Sequence, residues 1–344
     1  MWLSLLPAMQ LVSALRVPGS RGLARQANRL PPASAEASPG ASARVDVLRR
    51  GISGDGFVSA KAVDASVAVR EMCRVQGCKP LAATALGRAV ASTLLIADGL
   101  EAEETFQVRF VGDGPLRGVF AVANGALEAR GYVGNPALAL SPATGVAPGV
   151  GAGQLQVVRL KALPGETDPS PYSSVVAIKS GEIAEDINYF VATSEQREGA
   201  LSAGVTFDDE TGDVDACAGW RVELLPGAPQ AVADHVVANV RKVMERGSTT
   251  RAVADGASSC DEVLRLLLDG MDPNLDFEDR EPTFACTCGL DRVYRTLALL
   301  PRDEVAEILD QNDKIEARCE FCCRTYALGP TEIRAHLATL DGAA

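Results

Sequence analysis

Four cysteines near the C-terminus, Cys286-Thr-Cys288 and Cys319-Glu-Phe-Cys322, constrain the fold more than any other feature of this chain. The two close pairs, about thirty residues apart, bracket a short helical stretch. Four thiolates so arranged can close around one tetrahedral Zn²⁺ and leave no ligand position for a substrate, which disfavours a catalytic metal. Each thiol also has a neighbour with which it could form a disulfide. The segment therefore has two chemically distinct states and is a candidate switch. Two other readings stay open on these residues alone. One is a zinc ribbon that holds a domain together or contacts a partner and never switches. The other is a thiol–disulfide oxidoreductase, which wants Cys-x-x-Cys at the start of a helix within a βαβ unit, whereas Cys319–Cys322 lies in a hairpin pattern.

At 344 residues the chain is long enough for two domains. Apolar residues make up 47% and charged residues 23%, enough for a globular core. A formal charge of −12 argues against nucleic acid as partner, because neutralising phosphates takes clustered Lys and Arg. Five of the nine cysteines fall within 286–323 and the other four, Cys73, Cys78, Cys217 and Cys260, are scattered, which favours a reducing compartment over a secreted disulfide scaffold. Residues 1–44 carry Arg16, Arg21, Arg25, Arg29 and Arg44 against one acid, Glu36. That Arg-rich, acid-poor composition is that of a transit peptide, and the expected destination is an organelle, a plastid ahead of a mitochondrion. If the extension is not a targeting signal, the expectation reverts to the cytoplasm. The apolar run before Leu15 is broken by Pro7 and Gln10 and is too short to span a bilayer, and no later segment reads as transmembrane.

From Val45 onward the pattern predicts an α+β fold, with strands dominant and helices interposed irregularly rather than in βαβ order. Arg50–Val67 reads as strand and turn, Ala82–Leu100 as a helix, and Thr105–Val111 and Leu116–Ala123 as strands around Gly112-Asp113-Gly114-Pro115. Further strands are expected at Gln154–Leu160, Ser174–Ile178 and Val222–Leu225, and a helix at Ile183–Thr193. The core domain is taken as 45–227. Residues 228–282 read as a linker with marginal helices, Val232–Met244 and Val263–Leu268, followed by the acidic run Asp269–Glu281. Short helices draw their stability from packing, so these should be ordered when docked and melt when released. Residues 283–335 form the cysteine domain, with helices at Leu290–Leu300 and Glu304–Asp310, the second capped by Asp303, and a hairpin at Lys314–Tyr326; 336–344 is a tail. A piece of roughly fifty residues buries little core, so a metal would supply much of its folding free energy.

Other residues call for plainer explanations. His235 and His336 lie in helical patterns without ligands in register. Cys73, Cys78, Cys217 and Cys260 read as small buried hydrophobes, although Arg74 and Lys79 could lower the first two pKa values. Gly112-Asp113-Gly114 lacks the helix and Lys of a phosphate loop. Glu182, Glu185 and Asp186 read as a solvated helix face, and no residue is assigned a catalytic role.

The pattern Phe284-Ala-Cys286-Thr-Cys288, Leu300-Pro-Arg-Asp-Glu-Val305, Cys319-Glu-Phe-Cys322 and Tyr326 resembles the redox-switch domain of the thirty-three-kilodalton heat-shock protein family. The resemblance continues upstream in Val111-Gly-Asp-Gly-Pro115, Gly134-Asn-Pro136, Ile187-Asn-Tyr-Phe190 and Thr193-Ser-Glu-Gln196, and so covers roughly 46–335. It implies an oxidation-activated, ATP-independent holdase chaperone rather than an enzyme. One Zn²⁺ per chain would be held by Cys286, Cys288, Cys319 and Cys322 in the reduced, inactive form. Oxidation would make disulfides Cys286–Cys288 and Cys319–Cys322, release the metal and melt the linker. The implied partners are unfolded client proteins and, when active, a second copy of the chain, with neither nucleic acid nor membrane. Cys323 departs from the family pattern as an alternate thiol beside the fourth ligand.

Overall fold

A computed structural model describes residues 9–12, 45–142, 145–161, 170–246, 258–311 and 314–341. The expected transit segment 1–44 thus lies outside the described residues except for strand β1, Met9–Val12. The chain divides into two compact units, 45–286 and 287–344.

The first unit opens with strands β2 (Val47–Ile52) and β3 (Val58–Asp64) and helices α1 (Ser66–Gln76) and α2 (Pro80–Ala97). Strands β4 (Thr105–Gly112), β5 (Val119–Asn124) and β6 (Glu128–Val133) follow. Next come a single turn α3 (Ala147–Val150), strands β7 (Gly153–Lys161) and β8 (Ser170–Ala177), and helix α4 (Ala184–Ser194). Strands β9 (Gly199–Phe207) and β10 (Val214–Leu224) lead to helices α5 (Gln230–Glu245) and α6 (Ser258–Leu267), then strands β11 (Asn274–Arg280) and β12 (Thr283–Phe284). They form a five-stranded sheet in the order β11-β2-β3-β10-β9 and a six-stranded sheet in the order β12-β6-β5-β4-β7-β8. All pairings are antiparallel except β12 on β6. The α+β expectation holds.

Helix α2 packs against strands of both sheets and is buried all round, which accounts for its almost unbroken apolar sequence. It is long and apolar enough to cross a membrane, but 89% of it is buried inside this fold, as in the core helix of a globular domain. The opposite face of the five-stranded sheet carries a separate apolar cluster. Val58, Ala60, Ala62, Ala218, Trp220 and Val222 of the strands meet Val236, Val243, Cys260, Val263, Leu264 and Leu267 of α5 and α6. The marginal helices of the linker are therefore docked. The acidic run after them is more ordered than its composition suggests: Asn274–Arg280 is an edge strand on β2. Its carboxylates face cations of that strand, with Arg50 near Asp276 and Glu278, and Arg280 bonds Asp98 at 2.6 Å.

Two acids correct the solvated-face reading. Asp186 is buried and accepts the backbone N–H groups of Lys179, Ser180 and Gly181 at 2.7–3.0 Å. Glu182 accepts from Val146 and Ala147 and pairs with Arg88. Only Glu185 faces solvent. The segment around Gly112-Asp113-Gly114 is a turn, as expected. A Cβ on Gly112 or Gly114 would lie 2.0 Å or 2.3 Å from the carbonyl oxygens of Val150 and Gly149, so the backbones approach as only glycine allows.

The second unit holds α7 (Leu290–Ala298), α8 (Arg302–Gln311), the hairpin β13 (Ile315–Cys319) and β14 (Thr325–Leu328), and α9 (Pro330–Asp341), which runs through residue 336. Strand β1 pairs antiparallel with β13. Asp303 lies inside the first turn of α8 rather than capping it, where its charge still suits the positive end of the helix. Val293, Leu297, Val305, Leu309, Ile315, Ala317, Leu328 and Ile333 form a small core.

Candidate metal centre

The backbone brings the four cysteines together from two directions. On the first side, β12 lies parallel on β6, and the Ala285 N–H donates to Ala129 O at 3.0 Å, fixing the chain one residue before Cys286. Cys288 is followed by Gly289, which is extended and opens α7. On the second side, Cys319 ends β13, and the turn closes through Cys319 N–H to Arg324 O and Cys323 N–H to Cys319 O, each 2.9 Å. That tight turn requires a left-handed residue, and Cys323 supplies it with φ of 58°. Position 323 therefore has a backbone role independent of its thiol.

The sulfurs of Cys286, Cys288, Cys319 and Cys322 all lie within 4.8 Å of one another, and those of Cys288 and Cys322 are 3.3 Å apart. Four sulfurs at about 2.3 Å from a tetrahedral zinc would be separated by about 3.8 Å, so the spacing fits the ion. None of the nine cysteines is in a disulfide. Cys323 is not a member of the cluster. Cys319 is fully buried and the other three are half-buried, so the site is shielded yet reachable by a small oxidant.

Two residues that sequence reasoning did not assign to the site border it. The Tyr326 hydroxyl donates to Cys288 Sγ at 3.1 Å. Burial, then the bond to Cys288, pushes its phenol up to about 12, so it remains a donor throughout the physiological range. Interaction with Tyr326 and the charges of Cys288 and Cys322 raise the pKa of Arg324 further, which sets a cation beside an anionic sulfur cluster. The readable signal was the Arg-x-Tyr spacing where the chain leaves the second pair and enters β14, since alternate residues of extended chain share a face. The histidines hold no part of the site. His235 Nε2 meets Asp269 O at 2.8 Å, and His336 stacks on Tyr294 with ring centroids 4.1 Å apart.

Comparison with known proteins bears on the same residues. The family model described as Hsp33 protein matches residues 46–329. The 33 kDa chaperonin of Symbiobacterium thermophilum is 35% identical over 293 residues, 84% of this chain and 96% of that protein. The 33 kDa chaperonin of Desulforamulus reducens is 29% identical over 302 residues, 86% of this chain and 98% of that one. Among solved structures, the crystal structure of the 33 kDa chaperonin (heat shock protein 33 homolog) of Thermotoga maritima aligns with a TM-score of 0.73 at 26% identity, covering 87% of this chain and 99% of its own.

Proposed function

This chain belongs to the Hsp33 protein family, and we propose from that premise that it is an ATP-independent holdase whose client-binding surface is uncovered by oxidation. The observation that supports it most is the convergence of the four cysteine sulfurs to within 4.8 Å of one another.

In the reduced state Cys286, Cys288, Cys319 and Cys322 would hold one Zn²⁺, the ion that an all-thiolate tetrahedral site suits best. Bound there, the ion would contribute on the order of 10–16 kcal/mol of apparent folding free energy to a piece whose own core is small. Thiolates are the oxidisable form of cysteine, so the ligands are also the sensors. The pairing Cys286–Cys288 and Cys319–Cys322 would leave no thiolate to ligate a metal. Loss of order in 287–344 would then run back along the chain through β12 and β11 into α5 and α6. Their departure uncovers Trp220, Val222, Val58 and their neighbours, an apolar sheet face suited to unfolded clients. A second copy of the chain completes the active form, and the N-terminal extension directs the protein to a plastid.

The test follows zinc content, thiol count and client aggregation in one sample, first reduced and then treated with peroxide at raised temperature or with hypochlorous acid. One zinc per chain, lost together with the thiols of Cys286, Cys288, Cys319 and Cys322 as aggregation is suppressed, is the expected outcome. Full holdase activity in the reduced, zinc-loaded protein would overturn the switch. Reduction of insulin disulfides above background would favour an oxidoreductase instead.

A further inference from the structure

A second pair of thiols is built into the fold far along the chain from the metal centre. Helix α1 ends in a left-handed Gly77, with φ of 68°. The Gly77 N–H donates to Arg74 O at 3.3 Å and the Cys78 N–H donates to Cys73 O at 2.9 Å. These two bonds define a Schellman cap, in which the third residue from the helix end and the second residue beyond it commonly make an apolar contact. Both positions here are cysteine: Cys73 belongs to the core cluster and Cys78 packs against that cluster. The backbone bond between residues 73 and 78 keeps their main chains close, as a disulfide with Cα atoms about 4.4–6.8 Å apart requires. Cys73 is buried and Cys78 is half-buried at the rim of the core.

We propose that Cys73 and Cys78 form a second oxidant-sensitive pair, independent of the metal centre, that closes to a disulfide across the C-terminal cap of α1. The oxidant is a hydroperoxide. The thiolate of Cys78, the more accessible of the two, attacks a peroxide oxygen; the O–O bond breaks, leaving a sulfenic acid and water. The Cys73 sulfur then attacks the Cys78 sulfur, the S–S bond forms, the S–O bond breaks and a second water leaves. The two thiols lose two electrons and two protons, and one hydrogen peroxide becomes two waters. Contact with Cys78 and burial hold the Cys73 thiol well above its ordinary pKa, which makes it the resolving partner rather than the first to react. The third thiol in this region, Cys217, points at Gly87 O at 3.4 Å.

The staple sits at a useful place. Gln76 Nε2, in the last turn of α1, donates to Gly131 O of β6, and β6 carries β12, from which the chain leaves for Cys286. Closing the cap keeps that turn from unwinding while the switch is open.

Arg74 lies between the two cysteines, and trypsin does not cut at Lys79 because Pro80 follows, so digestion gives peptides 71–74 and 75–88. The full-length, zinc-loaded, reduced protein is treated with hydrogen peroxide, alkylated with N-ethylmaleimide, digested and mass-mapped, with zinc release and far-ultraviolet dichroism followed in parallel. The expected result is loss of both alkylated peptides and appearance of one species at their summed mass less two hydrogens, absent in a Cys78→Ser variant. Complete alkylation of both residues after the four metal-centre cysteines are oxidised overturns the proposal. So does a Cys73–Cys217 link in its place, or a link that forms only after the core's dichroism is lost. Zinc release in the same sample reports on the metal switch separately.

Discussion

Cys323 shows how a residue can matter for its backbone and not for its functional group. Its φ of 58° falls where a non-glycine residue is disfavoured by roughly 1–2 kcal/mol. A Cys323→Gly substitution should therefore tighten the turn, and the chelator concentration that removes half the metal should rise as if the site were about 1 kcal/mol more stable. Cys323→Ser should leave the metal content of the reduced protein unchanged, because its sulfur is outside the cluster. The opposite case is Asp186, whose carboxylate serves three N–H groups and whose importance was invisible in the sequence because its partners are backbone atoms of the preceding loop. Asp186→Ala would take the buried acceptor from those donors, of which the Gly181 N–H is itself buried, and unfolding in urea should show a loss of about 1–3 kcal/mol. The four metal-centre cysteines were legible for the converse reason. Their chemistry depends on residue type and short spacing, both of which the sequence displays.

At the level of elements, apolar residues recurring at helical spacing revealed α2, α4, α5 and α7, alternation revealed β4, and the turn signals around it revealed β5. Helix α1 was missed because most of its N-terminal capping comes from far away: Asp64 accepts the Ser66 N–H at 3.0 Å, but Asp46, some twenty residues earlier, accepts the N–H groups of Val67 and Ala68 at 2.7 Å. Strand β11 was missed because its acidic sequence reads as solvated, whereas its order comes from pairing with the edge of β2 and from Arg50 and Asp98. Both misses have non-local causes. The docked linker also carries its own reporter. Cys260 of α6 is fully buried in the cluster under the linker, and burial pushes its thiol from 9.0 up to about 12. A raised thiol pKa favours the protonated, docked state below pH 9, and that contribution is lost as pH climbs from about 9 towards 12. Iodoacetamide should spare Cys260 in the reduced protein at pH 8 and label it once oxidation releases α6. Labelling at equal rates in both states would mean the helix never leaves. Leu267→Ala should weaken docking by about 2–5 kcal/mol and let holdase activity appear at lower oxidant doses.

For the whole molecule the decisive question is what keeps residues 287–344 folded. They own a core, but among the described residues it consists of eight buried side chains shared among three helices and a hairpin, which is thin for a piece of this length. A sheet-and-helix unit such as 45–286, with α2 enclosed between two sheets, has no such shortage. Removing the metal from the reduced protein with a chelator should therefore divide the two units. Trypsin should begin to cut at Arg292 and Arg295 in α7, which the metal-loaded protein protects. The dichroism and urea midpoint of 45–286, by contrast, should move little unless α5 and α6 are released with it. If the tail keeps its protection after chelation, its own apolar core suffices. Metal loss could then not be the event that starts unfolding, and the switch would have to begin with the disulfides themselves.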